Sequence, residues 1–362
     1  METRSYPKQL WRVWAMILVC LLPLAASAQE ISRVIEKAFE LSPNSVIDIR
    51  NKYGNVDIKN WDEDFARVTV TIQAKGNSPE RAARRLEEVD IQERFVGNLI
   101  QLETRILSQS ILQQAIPHGI KVHYDVKMPI DHSVAVVNRY GDIYVDDRNG
   151  NVSIDLKHGN LVAERLDGAE NQIMMRFGDA DVAFFSGGKV DFSFGELVAG
   201  SADVMELKSN GAKVYIDEVE KLSINANLGE IELDDVAHVS GQYKASRFLI
   251  NNLSKSMDLK VDAALSFDVE HIHSGFEDIK LKGNYTVFNL GFEPDAAFTL
   301  DAELDHAKFT PLNMDDMNVA VEDGEGKASF VKAKPISVAR VGKQGQVKVE
   351  AKYGNLRLTR RL

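Results

Sequence analysis

Apolar and polar residues alternate in short runs along most of the chain: Ile143 and Val145; Val152, Ile154 and Leu156; Leu161 and Ala163; Val190 and Phe192; Val214 and Ile216; Ile231 and Leu233. Such alternation predicts strands with one buried face, because successive strand side chains point to opposite sides. Glycines at 141, 150, 159, 168, 178, 187 and 195 separate the runs at about nine-residue intervals. Every second one stands in a similar corner: Tyr140-Gly141-Asp142, His158-Gly159-Asn160, Phe177-Gly178-Asp179, Phe194-Gly195-Glu196, Asn210-Gly211-Ala212 and Leu228-Gly229-Glu230, spaced by 18, 19, 17, 16 and 18 residues. Glycine is expected there because a sharp corner often needs positive φ. Two short strands per unit of roughly eighteen residues predict an all-β fold, a single-chain β-solenoid whose coils bury one another's apolar rows. A β-sandwich with frequent turns is the alternative, but a sandwich does not require equal spacing. Between Tyr140 and Phe309 there is room for roughly nine coils, a rod about 45 Å long.

Outside that array the pattern loosens. Val46, Ile47 and Ile49, then Val56 and Ile58, then Val68, Val70 and Ile72 read as strands, with Tyr53-Gly54-Asn55 repeating the corner early and Tyr353-Gly354-Asn355 repeating it late. The predicted corner positions are therefore Gly54, Gly141, Gly159, Gly178, Gly195, Gly211, Gly229 and Gly354. One short helix is expected after Ser78, a suitable N-cap, with Pro79 at the first helical position and Ala82, Ala83, Leu86 and Val89 near one face. It would cover an end or edge of the sheet. Phe95-Val96-Gly97-Asn98-Leu99-Ile100 reads as a hairpin, and Leu107 to His118 as a loop. Arg247 falls eighteen residues after Gly229, so the register is expected to continue where glycines thin out. The division is residues 1–28, a leader; 29–135, an N-terminal β region with the helix, acting as a cap; 136–310, the solenoid; and 311–362, C-terminal strands acting as the other cap, since open sheet ends need covering.

Composition changes the picture at the N-terminus. Arg4, Lys8 and Arg12 precede an apolar run from Val13 to Ala26, and Ala26-Ser27-Ala28 is a small-x-small cleavage pattern, so residues 1–28 read as a signal peptide. The run is short for a membrane span, which needs about 20 residues, and no transmembrane segment is expected after cleavage. Cys20 is a poor lipidation site because Val19 precedes it. Cleavage removes three cations and one anion, moving the formal charge from −11 to −13, and leaves no cysteine. An acidic chain without a basic cluster argues against nucleic acid as a partner.

The early Asn51-Lys52-Tyr53-Gly54-Asn55-Val56-Asp57-Ile58 with Trp61 after it, the entry Asn138-Arg139-Tyr140-Gly141-Asp142-Ile143 and the recurring corners resemble an exported bacterial family described as putative adhesins with β-strand repeats. The resemblance covers most of the chain after the leader. It implies a β-helix-like solenoid and surface attachment, and it carries no catalytic residues, ligand or cofactor.

Candidate chemistry is sparse. His271 and His273 share a strand face and could supply half of a metal site, but spacing fixes no third ligand, and surface histidines are the better reading. Asp146-Asp147, Asp234-Asp235 and Asp315-Asp316 lack the spacing of calcium-binding repeats. Tyr140, Phe177 and Phe194, with His158 between, would stack in a column; outside it could bind sugar, inside it is core. Asn210 and Leu228 in the same column favour structural filling. No nucleophile elbow, triad order or phosphate loop is present. The sequence thus points to a non-enzymatic exported envelope or surface protein, an adhesin or binding scaffold for an envelope protein or polysaccharide, with no metal and no cofactor, in the periplasm or at the cell surface. The alternative is a polysaccharide lyase or hydrolase, which requires a groove holding two or three carboxylates.

Overall fold

The computed structural model describes residues 29–107, 119–264, 266–324, 328–336 and 344–361. Residues 1–28, which hold the expected signal peptide and Cys20, and all but Leu107 of the loop expected from Leu107 to His118 lie outside the described residues. Among the described residues the chain is all-β with one short helix. Its strands are β1 (Gln29–Glu40), β2 (Val46–Lys52), β3 (Val56–Asn60), β4 (Phe65–Gly76), β5 (Val89–Val96), β6 (Leu99–Ile106), β7 (Ile120–Met128), β8 (Ser133–Arg139), β9 (Ile143–Val145), β10 (Val152–Lys157), β11 (Leu161–Leu166), β12 (Asn171–Arg176), β13 (Ala180–Ser193) and β14 (Glu196–Asp262). They continue as β15 (Ser266–Ile272), β16 (Asp278–Asn284), β17 (Val287–Phe292), β18 (Phe298–Asp305), β19 (Lys308–Leu312), β20 (Met317–Asp323), β21 (Ala328–Pro335), β22 (Gly345–Lys352) and β23 (Asn355–Arg360).

Two ladders run through this mixed sheet. In one, β6, β2, β8, β10, β12 and the second half of β13 pair in parallel. In the other, β7, β3, β9, β11 and the first half of β13 do the same. Registers such as Ile154↔Val136, Ile154↔Ile173 and Leu161↔Ala180 put buried apolar residues of one rung directly against those of the next. Each such side chain contributes roughly 1.5–3 kcal/mol by leaving water, and the alternation in the sequence records which side it leaves from. The strand β14 spans 67 residues, about 220 Å if straight, yet Asn227 reaches Asn210, Arg247 reaches Glu230 and Asn251 reaches Asp234, each 17 residues apart. It therefore turns back on itself with the same beat.

Both ends depart from chain order. The rung β2–β3 lies between β6–β7 and β8–β9, and the rung β22–β23 lies between β16–β17 and β18–β19. The last strands are thus paired on both sides, with the antiparallel strands β21 and β20 beyond β18. At the opposite end β4 and β1 add antiparallel to β7, and the hairpin β5–β6 turns at Gly97, where φ is +59°. The helix α1 (Pro79–Glu87) starts as its sequence predicts: Ser78 Oγ accepts from the Arg81 N–H at 3.4 Å, Pro79 opens the helix, and Ala82 is buried; Val89, expected on its apolar face, lies beyond its end and opens β5. It packs on β4 and β1 and lies over that end of the sheet.

Candidate functional site, a column of left-handed corners

The two ladders meet at a column of corners. Tyr53, Tyr140, His158, Phe177 and Phe194 have φ of +64°, +62°, +58°, +61° and +59°. Backbone bonds join successive rungs at these points: Tyr53 N–H to Arg139 O (2.8 Å), Tyr140 N–H to Lys157 O (3.0 Å), His158 N–H to Arg176 O (3.0 Å), Phe177 N–H to Ser193 O (3.1 Å) and Phe194 N–H to Asn210 O (3.2 Å). The column continues through Gly211 (φ +62°), Leu228, Ala245, Ala263 and Tyr285, then Tyr353 and His306, all left-handed.

Most of the corner glycines have a different reason from the one expected, although Gly195, Gly211 and Gly229 do take positive φ, of +151°, +62° and +136°. At Gly54, Gly141, Gly159, Gly178 and Gly354 the positive φ belongs to the residue before the glycine. A Cβ on Gly141, Gly159, Gly178 or Gly195 would lie 1.9 to 2.2 Å from the carbonyl oxygen of the preceding corner glycine, and on Gly54, Gly229 and Gly354 it would meet Val122 O, Ala212 O and Thr286 O as closely. Close approach of stacked backbones demands glycine here. Gly211 is an exception: it occupies the position the rings take elsewhere, and Asn210 pairs with Ser193 one place earlier. Ala245 is left-handed 17 residues after Leu228, so Arg247 stands two places past that corner and pairs with Ser266.

The residue after Gly54, Gly141, Gly159 and Gly178 serves as a rung-to-rung acceptor. Asn55 Oδ1 takes the Asp142 N–H (3.1 Å), Asp142 Oδ1 the Asn160 N–H (2.9 Å), Asn160 Oδ1 the Asp179 N–H (3.0 Å) and Asp179 Oδ1 the Glu196 N–H (2.9 Å). The recurring Gly-Asn and Gly-Asp pairs carried this signal in the sequence. Behind the corner, buried Asn138 donates to Gly54 O and Gly141 O, each at 2.9 Å.

The rings stack in series. Centroids of Tyr53 and Tyr140, Tyr140 and His158, His158 and Phe177, and Phe177 and Phe194 are 5.3, 5.0, 5.0 and 5.2 Å apart, with planes within 8°. Tyr285 stacks on Tyr353 at 5.1 Å, and His306 lies 5.0 Å beyond. The column is outside, not in the core: Tyr140, Phe177 and Phe194 are 47%, 45% and 48% exposed and Tyr285 is 65% exposed. The expectation of interior filling is therefore corrected. Gly211 and Leu228 lack a ring because the column is not a packing requirement at every rung. Burial and the neighbouring Tyr140 raise the Tyr53 phenol.

Elsewhere the expected candidates separate. His271 is exposed, and His273 Nδ1 meets Glu293 Oε1 at 3.3 Å. Asp146 accepts from the Asn60 N–H, Asp147 from the Arg165 N–H and Asp234 from Asn251, while Asp316 pairs with Arg360 at 2.9 Å. Among the described residues no three His, Cys, Asp or Glu side chains gather to hold a metal ion, and no helix is long and apolar enough to cross a membrane. A groove of about 760 Å³ beside Gly187 and Gly188 does hold Asp167, Glu170 and Glu206. All three are exposed, Asp167 pairing with Arg165 and Glu206 with Lys189. A buried cation the sequence did not single out, Arg148, bonds Asn60 Oδ1 (2.9 Å), His132 O (2.6 Å) and Pro129 O, tying the ends of neighbouring rungs together; burial lowers its pKa to about 10.

No protein-family model matches the chain, and no curated protein matches it. Among solved structures, a "putative adhesin" of Bacteroides fragilis shares 13% identity over 91% of this chain and 97% of its own, at a TM-score of 0.29. A "putative cell adhesion protein" of Clostridium sporogenes shares 7% identity over 92% and 100%, at 0.23, and a "putative lipid binding protein" of Parabacteroides distasonis 8% over 90% and 96%, at 0.33. Likeness at these TM-scores carries no argument.

Proposed function

We propose that the chain is an exported, non-enzymatic binding protein of the bacterial envelope, of the adhesin-like kind its sequence resembles, and that its two ladders wind as a β-solenoid with the ring column as the docking edge. In this reading residues 136–310 supply most of the winding, 29–135 and 311–362 form its ends and contribute the rungs β2–β3 and β22–β23 to it, and the 1–28 pattern directs export. The observation that carries it is the exposure of the ring column at strained corners. A left-handed conformation costs an L-residue roughly 1–2 kcal/mol, and an aromatic stack returns about 0.5–1.5 kcal/mol, so the fold gains little by keeping rings there. Strain held at exposed positions points to use. Stacked rings present their edges in a line, suited to an extended partner such as a polysaccharide or a strand of an envelope protein. A glycan array and capture from envelope extract, run with wild type and Tyr140→Ala/Phe177→Ala, test this. Wild type is expected to retain a ligand that the double variant loses; identical behaviour of the two would rule the column out.

A further inference from the structure

One outward row of the first ladder carries cations on four consecutive rungs. Across many neighbouring rungs the outward side chains carry opposite signs and pair: Lys189 with Glu206 (3.3 Å), Lys208 with Asp191 (2.8 Å), Arg247 with Glu230 (3.2 Å) and Lys282 with Glu350 (2.6 Å); other like-charged cation registers, Lys260↔Lys282 and Lys59↔Lys127↔Arg67, reach two or three strands. The row immediately before the ring column instead reads Lys52, Arg139, Lys157, Arg176 on four consecutive rungs, in register as Lys52↔Arg139, Lys157↔Arg139 and Lys157↔Arg176. Like charges set directly opposite each other on a sheet are destabilising. Arg139 spends part of its guanidinium on Asp155, 2.8 Å from Nη2, while Lys52 and Arg176 are exposed and Lys157 half-exposed. The corner acids Asp142 and Asp179 lie on the far side of the rings. The arrangement stands out in a chain whose formal charge is −11.

Resting on the binding role proposed above, we infer that Lys52, Arg139, Lys157 and Arg176, together with the rings of Tyr53, Tyr140, His158 and Phe177 beside them, form a binding site for a linear acidic polysaccharide. Three rung spacings of about 4.8 Å place the four cations along roughly 15 Å. A uronate polymer carries one carboxylate per sugar at a comparable advance, so those carboxylates that turn toward the row meet cations spaced along it. Arginine adds bidentate geometry for a carboxylate, and the C–H faces and edges of the sugars lie along the neighbouring ring edges. Neutral glycans would use only the rings, and short anions only one or two cations.

Titration of polygalacturonate oligomers into the full chain, beside dextran and vesicles containing phosphatidylglycerol, tests the inference. Wild type is expected to bind the oligogalacturonate at least tenfold more tightly than dextran, with affinity falling at least tenfold between about 50 and 500 mM salt, as screening requires. Lys157→Glu/Arg176→Glu should lose at least tenfold, while Lys348→Glu, exposed on β22, should change nothing. Dextran binding as tight as the uronate, or a double variant that binds like wild type, overturns the acidic-glycan site and leaves the ring column standing. Vesicle binding abolished by the same variant, without uronate binding, also overturns it. No glycan bound, with Tyr140→Ala/Phe177→Ala still unable to retain an envelope protein that wild type retains, refutes this inference while sparing the proposed binding role.

Discussion

At the corner column, steric and conformational effects on adjacent residues can be separated by substitution. The position of a Cβ on Gly178 lies 1.9 Å from Gly159 O, and a backbone atom cannot step aside, so Gly178→Ala is expected to destabilise by about 1–3 kcal/mol. Phe177→Gly removes the left-handed strain and two ring stacks together, terms of similar size, and should leave the urea midpoint nearly unchanged. Loss of stability in Phe177→Gly equal to that of Gly178→Ala would show that the rings, not the glycine packing, hold the corner. Asp57 offers a pH test. It stands in register with Asp125 and Tyr144, and its carboxyl is raised mainly by burial, with Asp125 and Asp146 adding to the shift and Lys59 opposing it. A raised folded value means the charged form costs stability, a cost that appears as pH rises from the ordinary carboxylate range through the folded value. Asp57→Asn should therefore raise Tm at pH 7 and make no difference near pH 3, in thermal melts across that range. The beat of the glycines was legible because only glycine tolerates stacked backbones at that distance. Their φ was legible only at Gly195, Gly211 and Gly229; at the other corners the residue before the glycine carries the left-handed turn, and alternation could not say on which side of a corner a ring would lie.

Strand pairing decides what the local pattern leaves open. Lys52-Tyr53-Gly54-Asn55 and Lys352-Tyr353-Gly354-Asn355 share a tetrapeptide, and both form rungs placed out of chain order. The corner motif marked a corner in each, which the sequence places in the caps; nothing in it encodes that each would be a rung or which rungs would flank it, because neighbouring rungs contact through backbone and generic apolar side chains. The start of the helix, by contrast, was readable from Ser78 and Pro79, whose effects are local, while its end was not, since the buried Val89 suits a strand as well as a helix face. Since β22 and β23 fill the space between β16–β17 and β18–β19, a chain ending at residue 336 should lose hydrogen-exchange protection in β18, β20 and β21 while β10 to β13 keep theirs, as expected where each rung is stabilised by its neighbours. Unchanged protection of β18 in the truncated chain would contradict this pairing.

For the molecule as a whole, the central claim is that successive corners stack along one axis. Cys20 is the chain's one cysteine, so pairs of spin labels can be placed in a Cys20→Ser background at exposed corners. Counting rungs along the left-handed column, Leu228, Tyr285, Tyr353 and His306 lie five, eight, nine and ten steps from Tyr140. At about 4.8 Å per step the expected separations from Tyr140 are roughly 24, 38, 43 and 48 Å. The account predicts a linear rise with rung number and, against chain order, His306 farther from Tyr140 than Tyr353. Separations that fail to grow with rung number, or a Tyr353 label more distant than His306, would contradict it.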